Sequence, residues 1–487
     1  FSTRLDSTES TALPLPSANL LSISSAGKLA ILVLHGNDPA ANAEVSLAGG
    51  APRELVATDP HEDLQFAQQR ADWFPGEDRL GVIRNGRLEF PIGKVLVPAS
   101  EGTAIVGLRV SPDGRQIAFI EGQGNKGVAV GVVDLAGKKK ILSAGWEIVS
   151  SLAWHPGTGE LWFSGRKRGV KIGVVELHAI TLSGVERLVA QTPLLLIVED
   201  IARDGRVLAR SDDWPETMMC LPPGASREVN LTWLDFSQSL ALSVDGQDLL
   251  FMEGGAGAGA TGGLYMRKTD GSTAAVRLAD GWNAADLSAD KKWVVQFSGD
   301  HLTLIPVGPG ETKTIQDKDF QYRKALWFPD GKRLLIAATT PGHGPRAYVR
   351  DVAGGPPRPV TPEGTAGAQL SLDGKRIVAV DTKTNKWAVY PVDGGEPRPV
   401  PPIGENENVE GFDEKGEGLY LSSGDLTVRF DRLDLATGKR TFVREITPAD
   451  PTGVAQLADY RLTPDGKCYC YSFMRSLSRL YVVEGLR

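Results

Sequence analysis

The chain has 487 residues, with 53 Lys and Arg against 60 Asp and Glu, a formal charge of −7, 41% hydrophobic and 23% charged residues. That balance excludes wholesale disorder, and the acidity argues against a nucleic-acid binder, whose footprint is basic. No apolar run approaches the ~18 residues of a membrane span. Glycine is abundant, 56 residues without a Gly-X-Y period, which means many turns and many short strands. Three cysteines are too few for a disulfide framework, and the compartment cannot be read from them.

In chain order, residues 1–13 read as two strands of a unit already in progress, so the chain reads as a piece of a longer one cut on its N-terminal side. A cassette then recurs: alternating apolar residues, a Pro/Asp/Gly turn, and a second apolar run. Its clearest copies are Ser111-Pro-Asp113-Gly114, Phe328-Pro-Asp330-Gly331 and Thr463-Pro-Asp465-Gly466. Weaker copies reach Gly205, Gly246 and Gly374, and degenerate ones reach Gly27, Gly76, Gly157, Lys291 and Gly416. Proline presets the first turn dihedral, Asp caps the turn with its carboxylate, and Gly takes the left-handed conformation that closes the hairpin.

These eleven turns recur every 44 residues or so, the ~40–45 residues of one four-stranded propeller blade. A second hairpin follows most of them, so each unit has strands a, b, c and d. Helical periodicity is nearly absent. The expected fold is all-β: a β-propeller of about eleven to twelve four-stranded repeats, arranged as two tandem six-bladed rings over 1–230 and 231–487, with one large ring as the alternative. The last unit supplies strand a near 459–463, b near 467–473 and c near 479–484. Its missing strand d is expected from 227–231 under two rings, or from 8–13 under one.

The Ser-Pro-Asp-Gly cassette followed by an apolar strand resembles the WD40-like (PD40) repeat of TolB-type propellers. Nearly the whole chain, most specifically its ending over 471–487, resembles the C-terminal propeller region of bacterial transmembrane serine/threonine protein kinases of the kind abundant in acidobacteria. That resemblance implies a kinase domain and a membrane helix upstream of Phe1, and an extracytoplasmic, membrane-tethered propeller. None of the kinase catalytic motifs is present, so no kinase residue is carried over.

No catalytic, metal or cofactor residue is expected. His-Arg-Asp, Asp-Phe-Gly, the nucleophile elbow and His-Glu-x-x-His are absent, and the six histidines show no metal spacing. His155 reads as a turn residue and the loop holding His61 as polar surface. Gly257-Ala-Gly-Ala-Thr-Gly262 fits a dinucleotide fingerprint, but it joins two strands where that motif needs a helix. The basic runs at Lys138–140 and at Arg166, Arg168 and Lys171, and the acidic stretch 405–417, read as solvated surface.

Trp73, Trp154 and Trp327 precede turns on strand a, a repeated position that predicts packing between blades. Trp146 and Trp282 follow Gly and are expected on d–a loops around a channel mouth, as ligand platforms. With Glu147, Asp212, Asp213, Trp214, Asn283, Tyr322 and Arg323 they form the expected site for a protein, peptide or glycan partner. The functional expectation is a non-catalytic sensor or interaction module. The alternatives are a TolB-like envelope-assembly propeller and the propeller of a prolyl-peptidase-like enzyme.

Overall fold

The computed structural model describes residues 2–3, 10–11, 13, 15, 18–35, 38–58, 69–76, 78–167, 175–192, 196–259, 261–281 and 283–486. Among these residues the regular structure is strand, apart from two short 3-10 turns. The chain divides into two compact units. The first comprises 1–212 and 478–487, the second 213–477.

The second unit contains six four-stranded antiparallel sheets. The first runs Ser237–Leu242, Asp248–Glu253, Gly263–Lys268, Val276–Asp280. The next four begin with the strands Ala285–Leu287, Gln321–Trp327, Thr365–Leu370 and Glu407–Phe412. The sixth takes Val454–Leu462 and Tyr469–Arg475 from the end of the unit, then Glu216–Leu221 and Val229–Asn230 from its start. One apolar cluster fills each gap between successive sheets. Ala241 and Leu250 meet Leu287 and Val294 in the first gap, and Val428 and Phe430 meet Tyr469 and Tyr471 in the fifth. In the sixth, Met218, Cys220 and Cys470 meet Leu249 and Phe251, so the last sheet packs back on the first and the ring is closed. Each strand reads as alternation because one face serves each gap.

Closure is covalent as well as packed. Cys220 and Cys470 stand opposite each other on neighbouring strands, Cα–Cα 4.1 Å, and form a disulfide across 250 residues of sequence. Cys468 is free and buried.

The first unit has four-stranded sheets beginning with Ala18–Ile23, Ala71–Trp73 and Ala104–Val110. The 16-residue strand Lys139–Trp154 then serves two sheets. Its first half pairs with Val128–Asp134 and its second half with Leu161–Lys167, where the next sheet begins. A three-stranded sheet follows, made of Leu196–Ile201, Val207–Asp213 and the C-terminal Leu477–Val483. Ser2–Thr3 pairs with Ser10–Thr11.

The turns follow the cassette's chemistry. Asp113 Oδ1 accepts from Ser111 Oγ at 2.6 Å and from the Arg115 amide at 3.0 Å, while Gly114 has φ 67°. Asp465 and Gly466 repeat this with Thr463 and Lys467, and Asp330 accepts from the Lys332 amide ahead of left-handed Gly331. His155 fills the Asp role in its own turn, its Nδ1 accepting from the Gly157 and Thr158 amides. Trp73, Trp154 and Trp327 are each at most 7% exposed, in clusters that join adjacent sheets.

Two expectations about the chain's course differ from the structure. The units part at Asp212/Asp213, ahead of the expected 230/231, because 216–221 and 229–230 are already spent completing the last sheet of the second unit. Within the expected 227–231, Val229–Asn230 supplies that sheet's outer strand. The segment near 479–484, expected as its strand c, pairs instead with Val207–Asp213 in the first unit. The expected donor 8–13 lies mostly outside the described residues.

Candidate functional site

Polar side chains tie neighbouring sheets together at or near their first strands. In the first unit Asp72 Oδ2 accepts from the Val110 amide at 2.8 Å, and Gln69 exchanges hydrogen bonds with the Leu152 backbone. In the second, Asp286 Oδ2 accepts from the Trp327 amide at 2.8 Å and Ser472 Oγ accepts from the Ser239 amide at 2.9 Å. Inside each unit these first strands surround a cavity.

The cavity of the first unit holds about 710 Å³. Arg109 spans it, donating to the carbonyls of Leu21, Leu152 and Glu199, with Asp72 3.7 Å away. Arg210 bonds Glu199 at 2.7 Å and pairs with Asp212. Asp200 keeps an exposed surface, yet loss of solvent around its carboxyl raises it above the ordinary Asp range, against the Ile201 amide and the Arg109 charge. The cavity's exposed lining is mixed: apolar Leu20, Ile23 and Leu480, 52, 55 and 63% exposed, stand beside exposed Asn19, Asp200, Arg203 and Ser478.

The cavity of the second unit holds about 460 Å³ and is lined by the first strands of all six sheets. Among the described residues five ionisable side chains other than tyrosine line it: Asp286, Arg323, Lys324, Glu410 and Arg461. Burial pushes Asp286 up to about 6, although amide hydrogen bonds from Trp327 and Leu287 and the charges of Lys324 and Arg461 favour its ionised form. Burial pushes Lys324 down to about 8, with Arg461 adding repulsion. Glu410 Oε1 accepts from Ser422 Oγ at 2.5 Å. Arg461 donates from Nε to the Leu240 carbonyl and from Nη1 to the Tyr460 carbonyl at 2.7 Å.

Elsewhere in the second unit, Glu216 is 4% exposed, and burial together with the nearby charges of Asp459 and Glu253 pushes it up to about 8. Glu253 accepts from the Leu234 and Phe236 amides and from Ser237 Oγ. Among the described residues no group of three His, Cys, Asp or Glu is placed to hold a metal ion.

The residues expected from the sequence are dispersed, and several do other work. Trp146 is wholly buried, edge-on to Phe163 and His178, with its indole N–H on Ser143 Oγ. The d–a loop expected there does not exist, because the strand runs on and carries Trp146 into the gap between two sheets. Glu147 pairs with Arg166 at 3.0 Å. Asp212 is buried against Arg210 and accepts from Ser478 Oγ at 2.7 Å. Tyr322 is 4% exposed, its hydroxyl donating to Asp317 at 2.8 Å, which makes it a packing residue. Asp213 and Trp214 are exposed and Asn283 is half-buried. Trp282, His61, Arg168 and Lys171 lie outside the described residues. Among the described residues of the expected set, only Arg323 reaches the second unit's cavity.

The cavity residues had a positional signal in the sequence. Asp72, Arg109, Asp200, Asp286 and Arg461 each stand two places before the first residue of a turn, on the strand that enters it.

Four-stranded antiparallel sheets following one another around an axis, each facing a central cavity with its first strand, define a β-propeller. Solved structures similar to this chain include a TolB-type protein of Agrobacterium tumefaciens, at 16% identity, covering 54% of this chain and 99% of that one, with a TM-score of 0.41. TolB from Acinetobacter baumannii is similar at 14% identity, over 69% of this chain and 83% of its own, TM-score 0.27. A prolyl endopeptidase is similar at 13% identity, over 91% of this chain and 52% of its own, TM-score 0.25. No family model and no curated protein sequence matches the chain. Among the described residues no helix is long and apolar enough to cross a membrane.

Proposed function

We propose that the chain is a non-catalytic, extracytoplasmic propeller module that receives a peptide segment of a partner protein at the cavity of its first unit. The observation that carries this is the lining of that cavity: a charged floor of Arg109 and Asp72, with Leu20, Ile23 and Leu480 exposed beside the charged Asp200 and Arg203. Exposed apolar groups beside a polar, concave floor are what a partner's side chains cover on binding. The charged floor itself is engaged in holding strands together through Arg109 and Asp72, which supports recognition over chemistry. The Cys220–Cys470 disulfide supports an oxidising compartment. This reading stands nearer to the TolB-like alternative than to a kinase sensor, and it does not require an attached kinase.

The test is selection of peptides from a displayed library on the full chain, followed by affinity measurements on Leu20→Asp, Ile23→Asp and Leu480→Asp. These side chains are already exposed, so melting temperatures should hold. Selected peptides should lose about tenfold or more in affinity, the loss of one well-placed apolar contact or more. Peptides that bind all three variants as they bind the parent would refute the site.

A further inference from the structure

The cavity of the second unit carries an inference of its own, which stands whether or not the peptide reading of the first unit holds. Its five described ionisable side chains, tyrosines aside, divide by what they do. Both carboxylates are engaged: Asp286 accepts the Trp327 amide of the neighbouring sheet, and Glu410 accepts the Ser422 hydroxyl. The cations are not matched in the same way. Among the described residues Lys324 and Arg323 have no hydrogen-bond or ion-pair partner. Arg461 is fixed by two carbonyls through Nε and Nη1, which leaves Nη2 to point elsewhere. Each carboxylate thus already receives a donor from the protein, whereas the cations keep donors without a protein acceptor, and three cations against two carboxylates leave one positive charge in excess.

We propose that the second unit's cavity is a binding site for a ligand bearing a single carboxylate, held by Lys324, Arg323 and Arg461. One positive charge in excess matches a monoanion better than a doubly charged phosphate. An arginine held by its own backbone contacts is already oriented, so little side-chain freedom is lost when the carboxylate arrives. A lysine that is costly to keep charged in a confined space gains most from an anion beside it. A volume of about 460 Å³ leaves room for an organic body beyond the carboxylate. Two sources share this chemistry, a free organic acid and the C-terminus of a peptide.

Isothermal titration of the full chain with benzoate, with N-acetyl-glycyl-phenylalanine as the free acid, and with its C-terminal amide separates them. Either acid should bind, and the amide should bind at least about tenfold more weakly, as expected for loss of a charge-assisted contact. Tight binding of the peptide acid alone identifies a chain terminus as the ligand; comparable binding of benzoate identifies a small acid. Lys324→Gln should weaken binding by about tenfold. Arg323→Gln, at an exposed position where folding is not at stake, should do the same at unchanged melting temperature. Leu20→Asp, in the first unit, should leave this binding untouched. Equal binding of acid and amide, binding of inorganic phosphate in preference to both acids, indifference to Arg323→Gln, or no binding of either acid at millimolar concentration would each overturn the proposal.

Discussion

Replacing Glu216 by Gln raises the stability of the second unit in alkaline solution. Glu216 opens the strand Glu216–Leu221, and its carboxyl is buried near those of Asp459 and Glu253. Burial first, then those two charges, push it from 4.5 up to about 8. The sign follows from proton counting. Between pH 4.5 and 8 the folded state keeps a proton that the unfolded chain has given up, so stability falls as pH rises through that window and the full loss is present above it. At about 1.4 kcal/mol per pH unit the interval corresponds to roughly 4–5 kcal/mol, an upper figure because the neighbouring carboxyls share the proton. Glutamine keeps the size and removes the charge. Urea unfolding followed by tryptophan fluorescence at pH 5 and pH 8.5 measures the effect. The parent should lose several kcal/mol between the two, and the variant should lose much less and be the more stable protein at pH 8.5. A parent whose stability is flat over this range, or a variant destabilised equally at both pH values, would show that Glu216 is not held in a charge-repelling environment.

Four further outcomes are expected. Cys470→Ala, or reduction of the parent, should destabilise the second unit by ~2–5 kcal/mol, because the bond closes a very long loop in the unfolded chain; thermal unfolding with and without reductant reads this. Trp146→Ala should cost ~3–5 kcal/mol in the first unit as a large core deletion, visible by calorimetry, without changing the affinity of a selected peptide. Gly331→Ala should cost ~1 kcal/mol from its left-handed backbone alone, since a Cβ there meets nothing within 4 Å. Gly466→Ala should cost ~2–3 kcal/mol, because its Cβ would lie 2.7 Å from the Tyr420 hydroxyl.

The parts of the fold legible in the sequence are those decided within a few residues. The turns at Asp113, Asp330 and Asp465 declare themselves because their hydrogen bonds join residues at most five apart. The between-sheet tryptophans follow because a repeated position has a repeated neighbour. Strand partnership is different. Alternation says that 477–483 is a strand but names no partner, and its partner is Val207–Asp213, more than 260 positions earlier. The alternation of 216–221 was equally visible, Glu216, Met218 and Cys220 facing inward, yet only the closed ring shows that it completes the sheet of Tyr469–Arg475. Trp146 misled because Gly-Trp reads as a loop, whereas the strand passes straight through it. The cavity residues went unseen because a charge just ahead of a turn looks like ordinary surface until the strands are arranged around an axis.

The return of the chain to its first unit has a consequence for the order of synthesis. A ribosome delivers residues 213–477 before the strand Leu477–Val483, so every strand of the second unit's six sheets is available while the sheet of Leu196–Ile201 and Val207–Asp213 still lacks its third strand. The unit that is translated first is thus the one finished last, and until then the Val207–Asp213 strand offers an unpaired edge to whatever else is nearby.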